Sequence, residues 1–334
     1  MCKATDATNE VRARKVEKQP ESDPNVSAEN ISPWTERDIN WPQSIYLGLC
    51  HIGAILGLLC ILGGNFISYK TLAWAVVLHF LSGLGITGGV HRLWAHRSYT
   101  AALPFRIFLT LCVQIANQGS ILHWVRDHRV HHLCSETPAD PHDAMQGFLF
   151  SHIGWLLVKK DPRVVEKGKT IDFSDLMADP CVVVDKALFP FSQLFMCFIA
   201  PPLVAVYGWD ENKWAAFMIC GFLRYVMVLH NTWTVNSVAH LFGDMIHDAR
   251  PYDENINPSE NLWVTLMAHG EGWHNYHHSY PQDYSASEHG WMKQYNPTTA
   301  TIDLMAAIGL VTNRKKATKQ WEARKARKAA TATH

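Results

Sequence analysis

Charge is scarce in this 334-residue sequence, where Asp, Glu, Lys and Arg make up only 18%, and over long stretches it is missing altogether. None of the four occurs from Ser44 to Ile67 (SIYLGLCHIGAILGLLCILGGNFI) or from Leu72 to Val90 (LAWAVVLHFLSGLGITGGV). A third such run covers Ala187 to Trp209, and a fourth, from Trp214 to about Val235, is interrupted only by Arg224. At helical rise, about 20 apolar residues cross a bilayer. Four such runs argue against a soluble protein with buried core helices, and the expected fold class is all-α integral membrane. The expected transmembrane helices cover about 44–67, 71–93, 187–209 and 214–236. Trp34, Trp41, Trp209 and Trp214 flank the crossings, where an aromatic belt belongs.

Other absences narrow the reading further. The first forty residues contain no short apolar core with a small-residue cleavage site, so no secretory leader is expected and the first run serves as the insertion signal. Eight cysteines form no C-x-x-C pair and five sit in apolar stretches, as small buried hydrophobes do, rather than as a disulfide frame. Formal net charge is zero and no nucleic-acid partner is expected. The first and second runs, and the third and fourth, are joined by short segments holding one lysine each, Lys70 and Lys213. All other lysines and nearly all arginines lie elsewhere, which places both termini and the long middle segment in the cytosol. Residues 1–40 read as a disordered tail. Residues 313–334 read as a basic tail, a solvated charge run in preference to a lipid-bound helix. Between them, 41–312 form the main domain, with cytosolic segments at about 94–186 and 237–312.

What is abundant is histidine, 19 residues in all. HRVHH at 128–132 and HNYHH at 274–278 share an H-x-x-H-H spacing, with no longer internal repeat to explain it. HRLWAH at 91–96 and His240 in NSVAH add three more imidazoles. On a helix, positions i, i+3 and i+4 share a face, so each triplet is expected to direct three ligands at one common centre. His91 and His96, five apart, stand about 140° apart on a regular helix, so the second crossing is expected to end or bulge, breaking near Trp94. The stretch Leu103–Leu122 decides whether the groups can meet. Were it to cross the membrane, HRLWAH and HRVHH would lie on opposite faces. Its Arg106, Gln114, Asn117 and Gln118 favour an interfacial or re-entrant segment instead. Imidazole suits iron, zinc, copper and nickel, and nine ligands exceed what one ion accepts. Two metal ions sharing the set, beside a membrane, point to oxygen activation against an unreactive apolar substrate. His51, His79 and His230 stand alone and read as hydrogen-bonded core residues rather than ligands.

At these residues the chain resembles the membrane fatty acyl-CoA desaturases of the delta-9, stearoyl-CoA desaturase type. GITGGVHRLWAHRSY, WVRDHRVHH, SETPADPH, FSHIGWLL, NSVAHLFG and GEGWHNYHHSYPQDY carry the likeness, which covers about residues 40–310. The resemblance implies four transmembrane helices with a cytosolic helical cap in the endoplasmic reticulum membrane. It implies two Fe ions held by His91, His96, His128, His131, His132, His240, His274, His277 and His278, with Asn236 acting through a water. It further implies that a saturated acyl-CoA, palmitoyl or stearoyl, gains a cis double bond between carbons nine and ten at the expense of O2. Two electrons come from a separate cytochrome b5 and its NADH-dependent reductase, and no H-P-G-G heme signature occurs in these residues. Gln118, Trp124, Thr232 and Trp233 match positions lining a bent tunnel, and Arg126, Asp127, Lys159 and Lys160 match contacts to coenzyme A. Gln43, Gly119 and Pro138 depart from the pattern, as do His79 and Gly83 near the tunnel's blind end. Alternatives are a hydroxylase or lipid-linked acyl desaturase with the same centre, and a metal transporter, although transport ligands would lie at mid-membrane depth.

Overall fold

The computed structural model describes residues 33–63, 67–243 and 249–332. Most of the expected N-terminal tail lies outside the described residues. Its last part, 33–40, is not a free tail: the Asn40 N–H donates to the Leu157 carbonyl at 2.8 Å and Ile39 bridges to Val158.

Four helices are long and apolar enough to cross a membrane: α1 (Trp41–Leu62), α2 (Tyr69–Ala95), α5 (Phe191–Trp209) and α6 (Lys213–Leu241). The four runs free of charge account for them. Pro42 sits in the first turn of α1, where its missing N–H costs nothing. α5 starts later than expected because Ala187 and Leu188 belong to the preceding helix, Pro180–Leu188. α6 continues about a turn beyond its expected end, and that turn carries His240.

Between α2 and α5, α3 (Leu103–Ala116) and α4 (Ile121–Cys134) meet at 84°. α3 ends on Asn117 in the left-handed conformation (φ 51°), and α4 departs from Ser120, whose side chain caps the His123 N–H. The bend turns the chain back on itself, and it brings His128 of α4 to 2.8 Å from His96 at the end of α2, the juxtaposition that a re-entrant segment is expected to allow.

An irregular turn packed among membrane helices survives only if protein groups satisfy its backbone, since each orphan costs several kcal/mol in lipid. Here four side chains from neighbouring segments meet backbone groups of the turn. Arg224, fully buried on α6, donates to the carbonyl of Ile115 at 2.9 Å, one that the end of α3 leaves free. The Tyr225 hydroxyl donates to the Asn117 carbonyl at 3.0 Å, and the Gln193 amide to that of Gly119 at 2.8 Å. Asp185 accepts the Ile121 N–H at 2.8 Å, opening α4. Arg224 also donates to the Cys197 carbonyl at 2.9 Å. Pro201 lacks the N–H that would have bonded that carbonyl within α5.

Two short strands, β1 (Thr100–Ala101) and β2 (Val311–Thr312), pair antiparallel and tie the chain after α2 to the C-terminal region. α7 is His274–Ser279 and α8 is Thr318–Ala332. The expected solvated tail is corrected over its first half. Trp321 packs on Tyr252 at 4.7 Å and donates to Glu288 at 3.0 Å, Arg324 pairs with Asp253 at 2.9 Å, and Asp283 accepts the Ala317 N–H at 2.9 Å. Tyr252 in turn packs on Tyr276 of α7, so the C-terminal segment braces that helix.

Replacing Arg224 with methionine keeps the length and strands the carbonyls of Ile115 and Cys197. The expected loss is on the order of 3 kcal/mol, read as a lower melting temperature of the detergent-purified protein. An unchanged melting curve would contradict this account of the turn.

Candidate metal centre and substrate path

The C-terminal end of α2 is not a regular α-helix. Gly85–Ala95 is π-helical, and the His96 N–H bonds back to the His91 carbonyl at 3.0 Å. The wider i→i+5 turn brings residues five apart nearly into line. The two rings lie 4.8 Å apart. The helix ends at Ala95, one residue past Trp94 and so near the expected break, and the wider turn before it supplies the bulge. Gly85 permits close packing here, since a Cβ at that position would lie 2.5 Å from the backbone of Cys112 and Val113 on α3.

All nine predicted histidines converge, in two sets. His91, His96, His128, His132 and His277 form one, and His131, His240, His274 and His278 the other, with ligand nitrogens in each set within 4.8 Å of one another. The inward atoms are Nε2: His96 to His128 2.8 Å, His91 to His277 3.0 Å and His277 to His132 3.0 Å in the first. In the second, His274 to His240 is 3.0 Å and His278 to His274 is 3.2 Å. The expectation that each triplet serves one centre is therefore corrected. On α4, His128 and His132 face the first set and His131 the second; on α7, His274 and His278 face the second and His277 the first. Residues i and i+4 nearly superpose around a helix, whereas adjacent residues differ by about 100°. The i, i+4 pair therefore serves one centre and the histidine between them the other.

Carboxylates behind the rings went unassigned in the sequence. Glu271 lies 3.1 Å from His91 Nδ1, Asp140 3.0 Å from His131 Nδ1 and Glu136 3.4 Å from His240 Nδ1. Such partners place the proton on Nδ1 and leave the Nε2 lone pair facing inward. Burial alone would raise the Glu271 carboxyl, but Arg92 and His91 outweigh it and hold it at about 2. Arg92 is buried and donates to Glu271 from Nε at 3.0 Å and Nη2 at 2.7 Å. A third His131–Asp140–His142 grouping uses the outer side of His131 and belongs to this supporting layer. The signal in sequence is slight: Asp140 lies in SETPADPH, just after HRVHH, but Glu271 lies in GEGWHNYHH, far in sequence from the His91 that it supports.

Burial, and after it the neighbouring imidazoles, holds His96, His128, His131, His132, His274, His277 and His278 well below the usual imidazole value. Inward-facing imidazole nitrogens in sets of five and four, seven of them on rings so depressed, are a donor array suited to a pair of divalent transition-metal ions.

Two cavities meet at this centre, sharing Trp124, His128, Thr232 and Asn236. The outer one, about 740 Å³, is lined by Gln118, Asp127, Lys160 and Trp233 among others, with Gln43 and Gly119 also on its wall. The inner one is smaller, about 60 Å³, and ends on His79, Gly83, Asn231 and His269. Arg126 and Lys159 lie outside both linings. Each proposed cation already has a carboxylate: Lys160 and Arg126 meet Asp127, and Lys159 meets Asp38 at 2.8 Å. Asn236 lies beside the histidines, on the wall of both cavities.

A membrane-embedded helical scaffold holding two polyhistidine sets at the junction of a bent apolar path defines a class of membrane metalloprotein. The comparisons make the class specific. The fatty acid desaturase family model matches residues 69–289. The chain is 50% identical to stearoyl-CoA desaturase 5 of Bos taurus over 292 residues, 87% of this chain and 84% of that protein. It is 50% identical to stearoyl-CoA desaturase of Homo sapiens over 279 residues (84% and 75%) and 48% to acyl-CoA desaturase of Ovis aries over 297 (89% and 80%). The chain belongs to the fatty acid desaturase family.

Two outcomes are expected. Changing Glu271 to Gln should lower metal affinity by about 10–100-fold, measured as metal per protein after dialysis against a chelator series; wild-type retention would remove its supporting role. The seven depressed imidazoles stay neutral in the folded chain while the unfolded chain takes up protons below about pH 6.5. Stability of the metal-stripped protein should therefore fall between about pH 6.5 and about pH 5.5 in thermal melts. A flat profile would contradict the buried neutral rings.

Proposed function

We propose that this enzyme is an acyl-CoA desaturase of the endoplasmic reticulum membrane, acting between carbons nine and ten of a saturated acyl chain. Support comes above all from one observation: the two histidine sets stand where the outer and inner cavities join, at Trp124, His128, Thr232 and Asn236. A chain threaded through that junction presents an interior methylene pair, not an end, to the centre.

The metals are read as iron, which supplies the oxygen-activating redox chemistry when bound. Two hydrogens leave the chain, two electrons and two protons enter, and O2 leaves as two waters. The electrons come from cytochrome b5 and its reductase, docking on a cytosolic face. The nine imidazoles hold the ions. Thr232, held by Gln118 at 2.9 Å, together with Trp124 and Trp233, shapes the bend, and the apolar walls exclude water. Lys160, with Arg126, Asp127 and Lys159 around the mouth, is positioned to meet the coenzyme's phosphates once its pairing with Asp127 rearranges. Asn236 is read as acting on the centre through a water.

The inner chamber also speaks to length. Asn231 Nδ2 donates to the Met267 carbonyl at 3.0 Å and to His79 Nε2 at 3.1 Å, and the His79 and His269 rings lie 5.7 Å apart. His269 fills the room over Gly83, where a Cβ would lie 2.2 Å from its ring. These side chains close the inner chamber, and their bulk limits the length of chain that it admits.

Microsomes containing the enzyme, given equal palmitoyl-CoA and stearoyl-CoA, should form cis-unsaturated products in a ratio set by the end wall. His269→Ala should move the ratio toward stearoyl by about tenfold, the range a methylene step allows. Hydroxylated products, or none from either thioester, would overturn the desaturase reading. An unmoved ratio would overturn the role of the end wall.

A further inference from the structure

Three histidines outside both metal sets form a chain of their own. His51 on α1, His230 on α6 and His152 in the segment Phe150–Gly154 come from distant parts of the sequence. His51 Nε2 lies 3.1 Å from His230 Nε2, and His230 Nδ1 lies 3.0 Å from His152 Nε2. The ends are anchored: His51 Nδ1 is 2.7 Å from the Leu47 carbonyl and His152 Nδ1 is 2.9 Å from the Ser237 hydroxyl.

A carbonyl only accepts, so His51 presents an Nδ1–H to Leu47. All six ring nitrogens of the three histidines have a hydrogen-bonding neighbour, and the Ser237 hydroxyl that meets His152 also donates to the Trp233 carbonyl at 2.9 Å. The chain of contacts runs from α6 through the 150–154 segment and back across α6 to α1.

What the chain encloses is Trp233. Its ring stacks on His51 at 6.3 Å and meets His152 and His230 edge-on at 5.7 and 5.1 Å. Trp233 is buried and lines the outer cavity beside Thr232 and Asn236, at the bend. A greasy side chain could have filled the same space. Three hydrogen-bonded rings do more: each is fixed in rotation by its neighbours, and together they leave the indole one orientation.

We infer that His51, His152 and His230 are positioning residues that lock Trp233 and thereby set how far the acyl chain advances before it bends, which selects the methylene pair presented to the metals. This rests on the acyl-CoA desaturase reading above.

The test is the distribution of double-bond positions in product from a single saturated acyl-CoA, resolved by mass spectrometry. The distribution is independent of how much enzyme folds. His230→Phe keeps a packed ring and removes both hydrogen bonds; the fraction of product unsaturated at neighbouring positions should rise about tenfold, as expected when a wall group shifts by a fraction of an ångström. His230→Gln, which both donates and accepts, should restore most of the wild-type distribution, and Ser237→Ala should loosen it less than His230→Phe. Wild-type positional purity in His230→Phe would overturn the inference, as would equal spreading in the Phe and Gln variants, which would mark mere packing. Absence of any unsaturated product from the wild-type enzyme would instead sink the desaturase reading itself.

Discussion

The structure turns on the way two short helices divide their histidines. α4 and α7 each carry H-x-x-H-H, and each gives its i, i+4 pair to one centre and its intervening histidine to the other. Neither helix can complete a centre alone. Both must be present, in register and on one side of the membrane, before any ion has its ligands. The π-helical end of α2 and the last turn of α6 then add His91, His96 and His240, so the centre also fixes the membrane helices relative to the cap.

That requirement explains the polar investment elsewhere. Bringing α4 to the side on which α2 ends demands that α3 turn back inside the helical bundle, with backbone groups exposed to a poor solvent. Arg224, Tyr225, Gln193 and Asp185 satisfy those groups one by one. A buried arginine amid membrane helices is otherwise costly, about 3 kcal/mol by insertion scales. Here its donors meet carbonyls that the end of α3 and the prolines of α5 leave open. β2 ties the C-terminal region to the chain after α2, and α8, through Trp321 and Tyr252, braces the helix that carries HNYHH.

Much of this was legible in the amino-acid sequence. The uncharged runs give the four spans because lipid tolerates little else, and Arg106, Gln114, Asn117 and Gln118 mark the segment that turns back. The histidine spacing gives the ligands. What the sequence conceals is anything set by tertiary placement. The sharing of His131 and His132 between two centres depends on where α7 lies. The i→i+5 turn in α2 has only the H-x4-H spacing as its trace. His51, His152 and His230 look like isolated histidines because their partners are 179 and 78 residues away. The basic C-terminal segment reads as a solvated charge run, since its composition does not announce that Trp321 finds Tyr252. The cationic mouth expected from Arg126, Lys159 and Lys160 is likewise balanced by Asp127 and Asp38, a pairing that no spacing rule reveals.

The most direct measurement is an experimental density map of the metal-loaded enzyme in a lipid environment, with anomalous or spectroscopic assignment of the ions. The account predicts two ions, one bounded by Nε2 atoms of His128, His132 and His277 and the other by those of His131, His274 and His278. A map in which all three histidines of either motif converge on a single ion, or in which only one ion is bound, would contradict it.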